Sequence, residues 1–328
     1  MMEKDKNSPL VTVFTLCYYT KSKFVIDAIK SISNQTYKNI EHIIINDAPN
    51  DLIEWPKIKY FILNNNISPI IIENEVNQGI NKNLNTVLGL NRGEFIIGCS
   101  DDILEAHAVE RLIDHFSKVN FDVKIVFGEV SIINENNQII KDSYLKSKGL
   151  CPPYAVNFSS YLQNKSRFPT LGCMYKSDVF TTIGNYDISL VAEDVDMHLR
   201  ILSKYNSSYC NCIVGSYRKH SSQLSNNSGL WLEHDRLIIF RKWFDIVNEN
   251  DKLYIKKTIA SFAFNSLLNG KFDYENYSYF NVPVIRFYNK LNNFRVLFKI
   301  RLLFRSILLK LRMISSTWFS LLFTPRGS

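Results

Sequence analysis

The stretch Glu94-Phe95-Ile96-Ile97-Gly98-Cys99-Ser100-Asp101-Asp102-Ile103-Leu104 decides how the chain is read. A short apolar run, Phe95 to Gly98, has the character of a buried strand and stops at two adjacent carboxylates. Paired acids are poor core material. At the carboxyl end of a strand in an open α/β sheet, however, they are well placed to offer oxygens to a hard divalent cation. The same Ser100-Asp101-Asp102 also has the chemistry of a cap for a helix starting near Ala106, so the residues around it must carry part of the argument.

Upstream, Pro9 to Leu16 alternates with β-branched residues and reads as a first strand, closed by Cys17-Tyr18-Tyr19. Phe24, Val25, Ala28, Ile29 and Ile32 recur at helical spacing. Ile40 to Ile45 is a second buried strand that also ends in an acid, Asp47. A helix after Asp51, a strand over residues 69–72 and a helix opened by Gly79, with Leu84, Val87 and Leu88 inward, complete the run. Strand and helix alternating at this rhythm predict a Rossmann-like, mostly parallel sheet with flanking helices. Carboxyl ends of parallel strands share one edge, so Tyr18, Asp47, Asp101 and Asp102 converge there although distant in sequence. Neither a Walker loop nor G-x-G-x-x-G is present. A nucleotide at this edge would be held by metal, side chains and isolated backbone donors.

Downstream, residues 107–118 form an amphipathic helix, Val123 to Val130 a strand and 131–140 a hairpin. Residues 141–170 are loop-rich and aromatic, a wall for a second substrate or a surface insertion. Val191 to Arg200 begins a helix whose first turn carries Glu193, Asp194 and Asp196, where the helix dipole favours acids. A carboxylate there, aimed into a cleft, can act as a general base. A strand over 209–217 leads into Arg218-Lys219-His220, read as a flexible basic loop, with His220 the best-placed histidine for a metal or phosphate. Residues 230–268 read as two helices.

Charge is distributed unevenly over the 328 residues. Nine of the 39 basic residues follow Glu275, where no acid occurs, leaving 30 basic against 31 acidic residues before it. This argues against a nucleic-acid-binding body. On a helix from Lys290 to Ile314, the residues Val296, Leu297, Ile300, Leu303, Phe304, Ile307, Leu311 and Ile314 fill one uncharged arc, with Lys and Arg opposite. That is the pattern of a basic amphipathic helix lying on anionic lipid. No uncharged run in the tail reaches the length of a spanning helix. The polar amino-terminal residues lack the apolar core of a signal peptide, and six scattered cysteines suit a reducing compartment. The expected location is therefore cytoplasmic, peripheral on the inner face of the cell membrane.

Taken in order, Val11–Tyr18, Ser33–Glu41, Ile43–Asp47, Asn77-x-Gly79…Asn85, Gly93–Ile96…Ser100-Asp101-Asp102 and Ile183-Gly184-x-Tyr186-Asp187…Glu193-Asp194 resemble the inverting family 2 glycosyltransferases of GT-A fold, of the bacterial cell-surface polysaccharide type. The resemblance covers roughly residues 9–225. It implies a nucleotide-sugar donor, most simply a UDP-sugar, and a divalent metal, Mn²⁺ or Mg²⁺. It also implies a saccharide acceptor, lipid-linked if the tail binds membranes. By the resemblance Asp47 meets the base or ribose, Tyr18 lies beside the base, and Asn77, Gly79 and Asn85 belong to the donor region. Asp101 serves the ribose, Asp102 is the metal ligand, His220 is a second metal or phosphate contact, and Asp194 is the catalytic base. Three residues depart from the family pattern: Cys99 and Asn46 stand where acids are frequent, and Tyr19 replaces a frequent Asn.

The expected organisation is a catalytic domain over residues 1–225, a helical extension over 226–285 and a membrane-associating tail over 286–328. Two alternatives stand beside the transferase: a non-catalytic sugar-nucleotide-binding protein of the same fold, and a nucleotidyltransferase. The latter would need a basic Gly-rich loop that Cys17–Lys23 does not provide.

Overall fold

The structure, a computed structural model, describes residues 8–150, 156–191, 193–221, 223, 231–268, 274–280 and 282–283. The chain divides into two units, residues 1–232 and 233–328. The proposed lipid-binding helix over 290–314 lies outside the described residues.

The first unit begins with β1 (Val11–Cys17), α1 (Ser22–Ser33), β2 (Ile40–Asn46), α2 (Glu54–Asn64), β3 (Ile70–Glu73), α3 (Ile80–Leu90) and β4 (Phe95–Gly98). β1 pairs in parallel with β2 and β4, and β2 with β3. The isoleucines of β2 show why the strand is apolar on both sides. Ile43 and Ile45 pack with Val87 of α3, whereas Ile44 packs with Val25 and Ile29 of α1 and with Trp55, Ile58 and Ile62 of α2. Helices therefore cover both faces of a parallel sheet.

Next come β5 (Ile103–Leu104), α4 (Ala108–Phe116), β6 (Val123–Ile133), β7 (Ile139–Lys141), α5 (Tyr144–Ser147), α6 (Phe158–Leu162), β8 (Cys173–Lys176), α7 (Asp178–Ile183), α8 (Glu193–Leu202) and β9 (Asn206–Arg218). Among the described residues the sheet has nine strands, ordered β3-β2-β1-β4-β8-β6-β9-β5, with β7 paired to β6. The parallel arrangement expected from the sequence holds as far as β4. Beyond it the sheet is mixed: β8 enters antiparallel between β4 and β6, β9 runs parallel to β6, and β5 is antiparallel to β9. β8 is only four residues long, Cys-Met-Tyr-Lys, too short for a clear period-2 signal. β5 has two residues and exists through its pairing alone.

β5 matters out of proportion to its length. Ile103 and Leu104 pair with Ser216 and Gly215 of β9, so the Asp101-Asp102 turn is strung between β4 and the end of β9. Gly215 permits this approach, since a Cβ there would lie 2.7 Å from the Ile103 carbonyl oxygen. The loop that the sequence suggested at Arg218 to His220 is in part core: Arg218 is fully buried and closes β9.

In the second unit, α9 (Trp231–Trp243, its first two residues lying in the first unit), α10 (Glu249–Leu268) and α11 (Tyr274–Ser278) are helical. Glu233 accepts hydrogen bonds from Ser266 and Tyr277, tying the three together. Ile239, Phe240, Ile255, Ile259, Ala263 and Phe280 are buried. No described helix is long and apolar enough to cross a membrane.

Candidate functional site

The carboxyl ends of β1, β2 and β4 lie side by side, since Cys17 pairs with Asn46 and Phe14 with Gly98. Tyr18 ends β1 about half exposed, its ring edge-on to Tyr19 at 4.9 Å. Tyr19 sits in the left-handed region, φ 47°, where a β-carbon is disfavoured. The first turn beyond β4 is pinned by Ser100, whose Oγ accepts the Leu16 N–H at 3.0 Å.

The two adjacent aspartates then part. Asp102 turns inward. Its Oδ1 accepts the Arg218 backbone N–H at 2.7 Å, it is 9% exposed, and burial, then the neighbouring Asp101, pushes its carboxyl well above the usual carboxylate range. Asp101 turns outward, its side chain 27% exposed, and its Oδ2 lies 2.8 Å from His220 Nε2. The bend through residues 100–102 aims the two carboxylates apart. Both were expected in the crevice, Asp102 on the metal and Asp101 at the ribose; Asp101 is the more exposed of the two.

Arg218 holds this arrangement in place. Its Nε donates to the Asp101 carbonyl at 2.8 Å, its guanidinium reaches Asp27 at 3.3 Å and the Asn137 amide oxygen, and it stacks 4.6 Å from the Phe24 ring centroid. Phe24 also packs on His220, with ring centroids 5.0 Å apart. One buried cation thus joins α1, the β6–β7 turn, β9 and the Asp101-Asp102 turn. Nothing in the local sequence singles it out, because an arginine beside a lysine and a histidine looks like a solvated loop.

Asp47 is 5% exposed and its carboxylate is already occupied. Oδ1 accepts from Asn74 Nδ2 and the Gln78 N–H, each at 2.7 Å, and Oδ2 from the Gly79 N–H at 2.9 Å. Asn77, exposed, accepts from the same Gly79 N–H at 2.8 Å. Gly79 caps α3 at φ 78°, a conformation suited to glycine. These residues build the loop above β2. Asn85 does something else: its amide exchanges two hydrogen bonds with the backbone of Tyr186, at 3.0 and 2.8 Å. Asn81 donates to the carbonyls of Asp187 and Leu190. The asparagines of α3 therefore clasp the turn that leads into α8.

Asp194 lies half-buried in the first turn of α8. Cys173, at the start of β8, is level with the end of β4 because Ile97 pairs with Met174. Burial, with the Asp194 charge adding to it, pushes the Cys173 thiol up. The Asp194 charge is thus felt at the start of β8. Asp196 points the other way, is buried, and pairs with Arg200 at 2.8 Å. Beneath Asp194, His198 lies between the hydroxyls of Tyr161 and Tyr175, 2.7 and 2.6 Å from its two ring nitrogens.

The donor set tests the expected cation. Asp101 supplies a hard oxygen group on a partly open edge, the donor Mn²⁺ or Mg²⁺ takes, and the buried His220 holds that carboxylate in place from 2.8 Å. Among the described residues no three His, Cys, Asp or Glu side chains gather as a cage. A cation here would take most of its ligands from water and a bound phosphate, which is how Mg²⁺ is usually held.

The sequence profile described as glycosyl transferase family 2 matches residues 13–181. An uncharacterized glycosyltransferase of Methanocaldococcus jannaschii is 32% identical over 142 residues, 43% of this chain and 48% of that one. A putative colanic acid biosynthesis glycosyl transferase of Escherichia coli is 32% identical over 98 residues, 30% of this chain and 34% of that one. The matched stretch thus spans about half of the first relative and a third of the second. Among solved structures, a mannosyltransferase of Pyrobaculum calidifontis in complex with GDP-Man and Mn²⁺ superposes with TM-score 0.55 at 14% identity, covering 76% of this chain and 71% of that one. Staphylococcus aureus TarS 1–349 in complex with UDP-GlcNAc gives 0.56 at 14%, covering 77% and 71%. At that identity the likeness establishes the fold: a GT-A-type α/β sheet with flanking helices.

Proposed function

The chain belongs to glycosyl transferase family 2, and we propose that it is an inverting, metal-dependent hexosyltransferase moving a sugar from a nucleoside-diphosphate donor to a hydroxyl of a saccharide acceptor. The observation that carries this reading is the partly exposed Asp101 carboxylate, backed by the buried His220, at the carboxyl edge of the parallel strands, where open α/β sheets bind ligands. Mn²⁺ or Mg²⁺ would be held by Asp101 with His220 beside it, and when bound would neutralise the charge that builds on the departing diphosphate. Asp102 becomes the buried support that fixes the turn. Tyr18 is assigned to the face of the base. Asp47, Asn77 and Gly79 shape the loop against the nucleoside.

Asp194 is the proposed base. As the bond from the anomeric carbon to the diphosphate oxygen breaks, with its electron pair leaving on that oxygen, the acceptor oxygen bonds the opposite face and passes its proton to the Asp194 carboxylate. General-base help of this kind is worth ~10²–10⁴-fold. Single displacement inverts the centre. Nucleotides named with the structural neighbours, UDP-GlcNAc and GDP-Man, support a nucleotide-sugar donor without choosing the base. The colanic acid relative supports cell-surface polysaccharide synthesis, and the basic tail supports a lipid-linked acceptor at the inner membrane face. We assign catalysis to residues 1–225, the extension to 226–285 and membrane contact to 286–328.

A panel of sugar nucleotides with Mn²⁺ tests the reading. One of them should be hydrolysed slowly, and Asp194→Asn should keep donor affinity and lose turnover. Undiminished turnover in that variant would remove Asp194 from the chemistry. Absence of cation-dependent hydrolysis across the panel would leave only a binding protein.

A further inference from the structure

A cluster of cations outside the crevice just described lies where β6 and β9 end and β7 begins. Ile132 of β6 pairs with Tyr217 of β9 on one side and Lys141 of β7 on the other, so Lys141 and Tyr217 share a face of the sheet. The Tyr217 ring meets the Tyr144 ring edge-on at 5.9 Å. Lys148 lays its ammonium over the same Tyr144 ring, Nζ 5.4 Å from the centroid. Lys219, two residues beyond Tyr217, is anchored by its backbone N–H to the Ile133 carbonyl at 2.8 Å. Arg167 approaches from the loop before β8. Burial pushes the Tyr144 phenol up, Arg167 opposes that, and Tyr217 and Asp194 add to it. Burial, then the charges of Arg167, Lys219 and Lys141, pulls the Lys148 ammonium down.

Four cations therefore act on one another around a pair of tyrosine rings. None of the four is in an ion pair among the described residues, although Lys21, Lys57, Lys59, Lys118, Lys124 and Lys252 of the same protein all are. Like charges with no ion-pair partner repel, and such a cluster is the usual footprint of an anion that binds among them. Its position gives the anion a role. Phe168, next to Arg167, packs on Tyr161 and on His198, one helical turn after Asp194, so the Arg167 end of the cluster lies beside the helix that carries the proposed base.

We propose that Lys148, Arg167 and Lys219, around the Tyr144–Tyr217 pair, form a subsite for a phosphate or diphosphate group carried by the acceptor. This rests on the transferase reading above and narrows it: the acceptor is an anionic, phosphate-linked saccharide. Lys141 widens the field at the rim.

Two titrations of the full chain test it. In the first, inorganic pyrophosphate is added in EDTA by calorimetry, with the cation-dependent donor site silent. In the second, uridine and guanosine diphosphates are added with Mn²⁺. The double variant Lys148→Met/Lys219→Met, whose positions are exposed on the native fold, should weaken pyrophosphate binding about tenfold or more while leaving nucleotide affinity within about twofold. Arg167→Gln should act in the same direction. No pyrophosphate binding by the unaltered chain, or equal binding by the variants, would overturn the subsite. So would a parallel loss of nucleotide affinity, which would hand these cations to the donor diphosphate. Failure of the transferase reading shows in the nucleotide titration of the unaltered chain, and failure of the subsite in the EDTA titration.

Discussion

At the scale of single residues, Arg218 and His198 show how burial sets behaviour. Arg218 has no solvent exposure, and its charge is balanced by Asp27, two backbone carbonyls, an amide oxygen and an aromatic face. Removing one partner of a buried ionic network is costly because the remaining groups stay desolvated. Arg218→Met should lower unfolding free energy by roughly 3–5 kcal/mol in urea denaturation, and should weaken Mn²⁺-dependent nucleotide binding in the fraction that folds. A loss below about 1 kcal/mol, the scale of an exposed pair, would contradict the clamp.

His198 makes a pH prediction whose sign is fixed. Burial pulls its imidazole from 6.5 down to about 4, with Asp194 opposing. The folded state therefore keeps it neutral while the unfolded chain binds a proton as pH falls below about 6.5. Stability is complete above that pH and declines toward pH 4, by on the order of 3 kcal/mol from this residue. His42, pulled to about 3 by burial, adds to the same acid limb. His198→Gln, compared at pH 7 and pH 5, should show a shallower decline than the unaltered protein. An unchanged slope would mean that the imidazole does not titrate as its surroundings require.

At the scale of elements, α3 is the informative case. From the sequence, Asn85 belonged with the donor-binding run, but its amide is spent on the Tyr186 backbone. Asn85→Ala leaves a partly buried N–H and C=O unpaired, a cost of about 1–3 kcal/mol. The damage should fall on the turn over 184–190 and thus on the placement of α8. Turnover should drop while donor affinity is unchanged; a raised donor dissociation constant with normal turnover would restore the donor-contact role. Elements with strong periodicity, such as β1, β2 and the amphipathic α4, were legible because their apolar pattern is local. β8 was not legible, since four residues between β4 and β6 owe their strand character to neighbours supplied from elsewhere in the chain. Which of Asp101 and Asp102 is the more exposed was equally hidden, because the partner that holds Asp102 inward, the Arg218 N–H, lies more than a hundred residues away.

At the scale of the whole molecule, two kinds of sequence signal meet. The parallel half, β3-β2-β1-β4, gathers strand ends at one edge and was foreseen from strand–helix alternation. The mixed half, from β8 to β5, carries the turn into Asp194 and the return of β9 to Asp101, so the proposed chemistry falls where the two halves join. Charge is partitioned along the chain in a different way: every excess cation lies after Glu275. A segment with that bias, attached to a body of nearly balanced charge, should govern surface attachment independently of catalysis. Juxtamembrane basic residues contribute ~1 kcal/mol each near an anionic surface, so nine of them amount to firm yet salt-sensitive binding. The full chain should sediment with phosphatidylglycerol vesicles at low salt and be released as ionic strength rises. Deletion of residues 286–328 should abolish sedimentation and preserve cation-dependent donor hydrolysis. If the full chain ignores anionic vesicles, the tail loses its membrane role and the lipid-linked acceptor loses its principal support, while the phosphate subsite around Tyr144 stands or falls on its own titration.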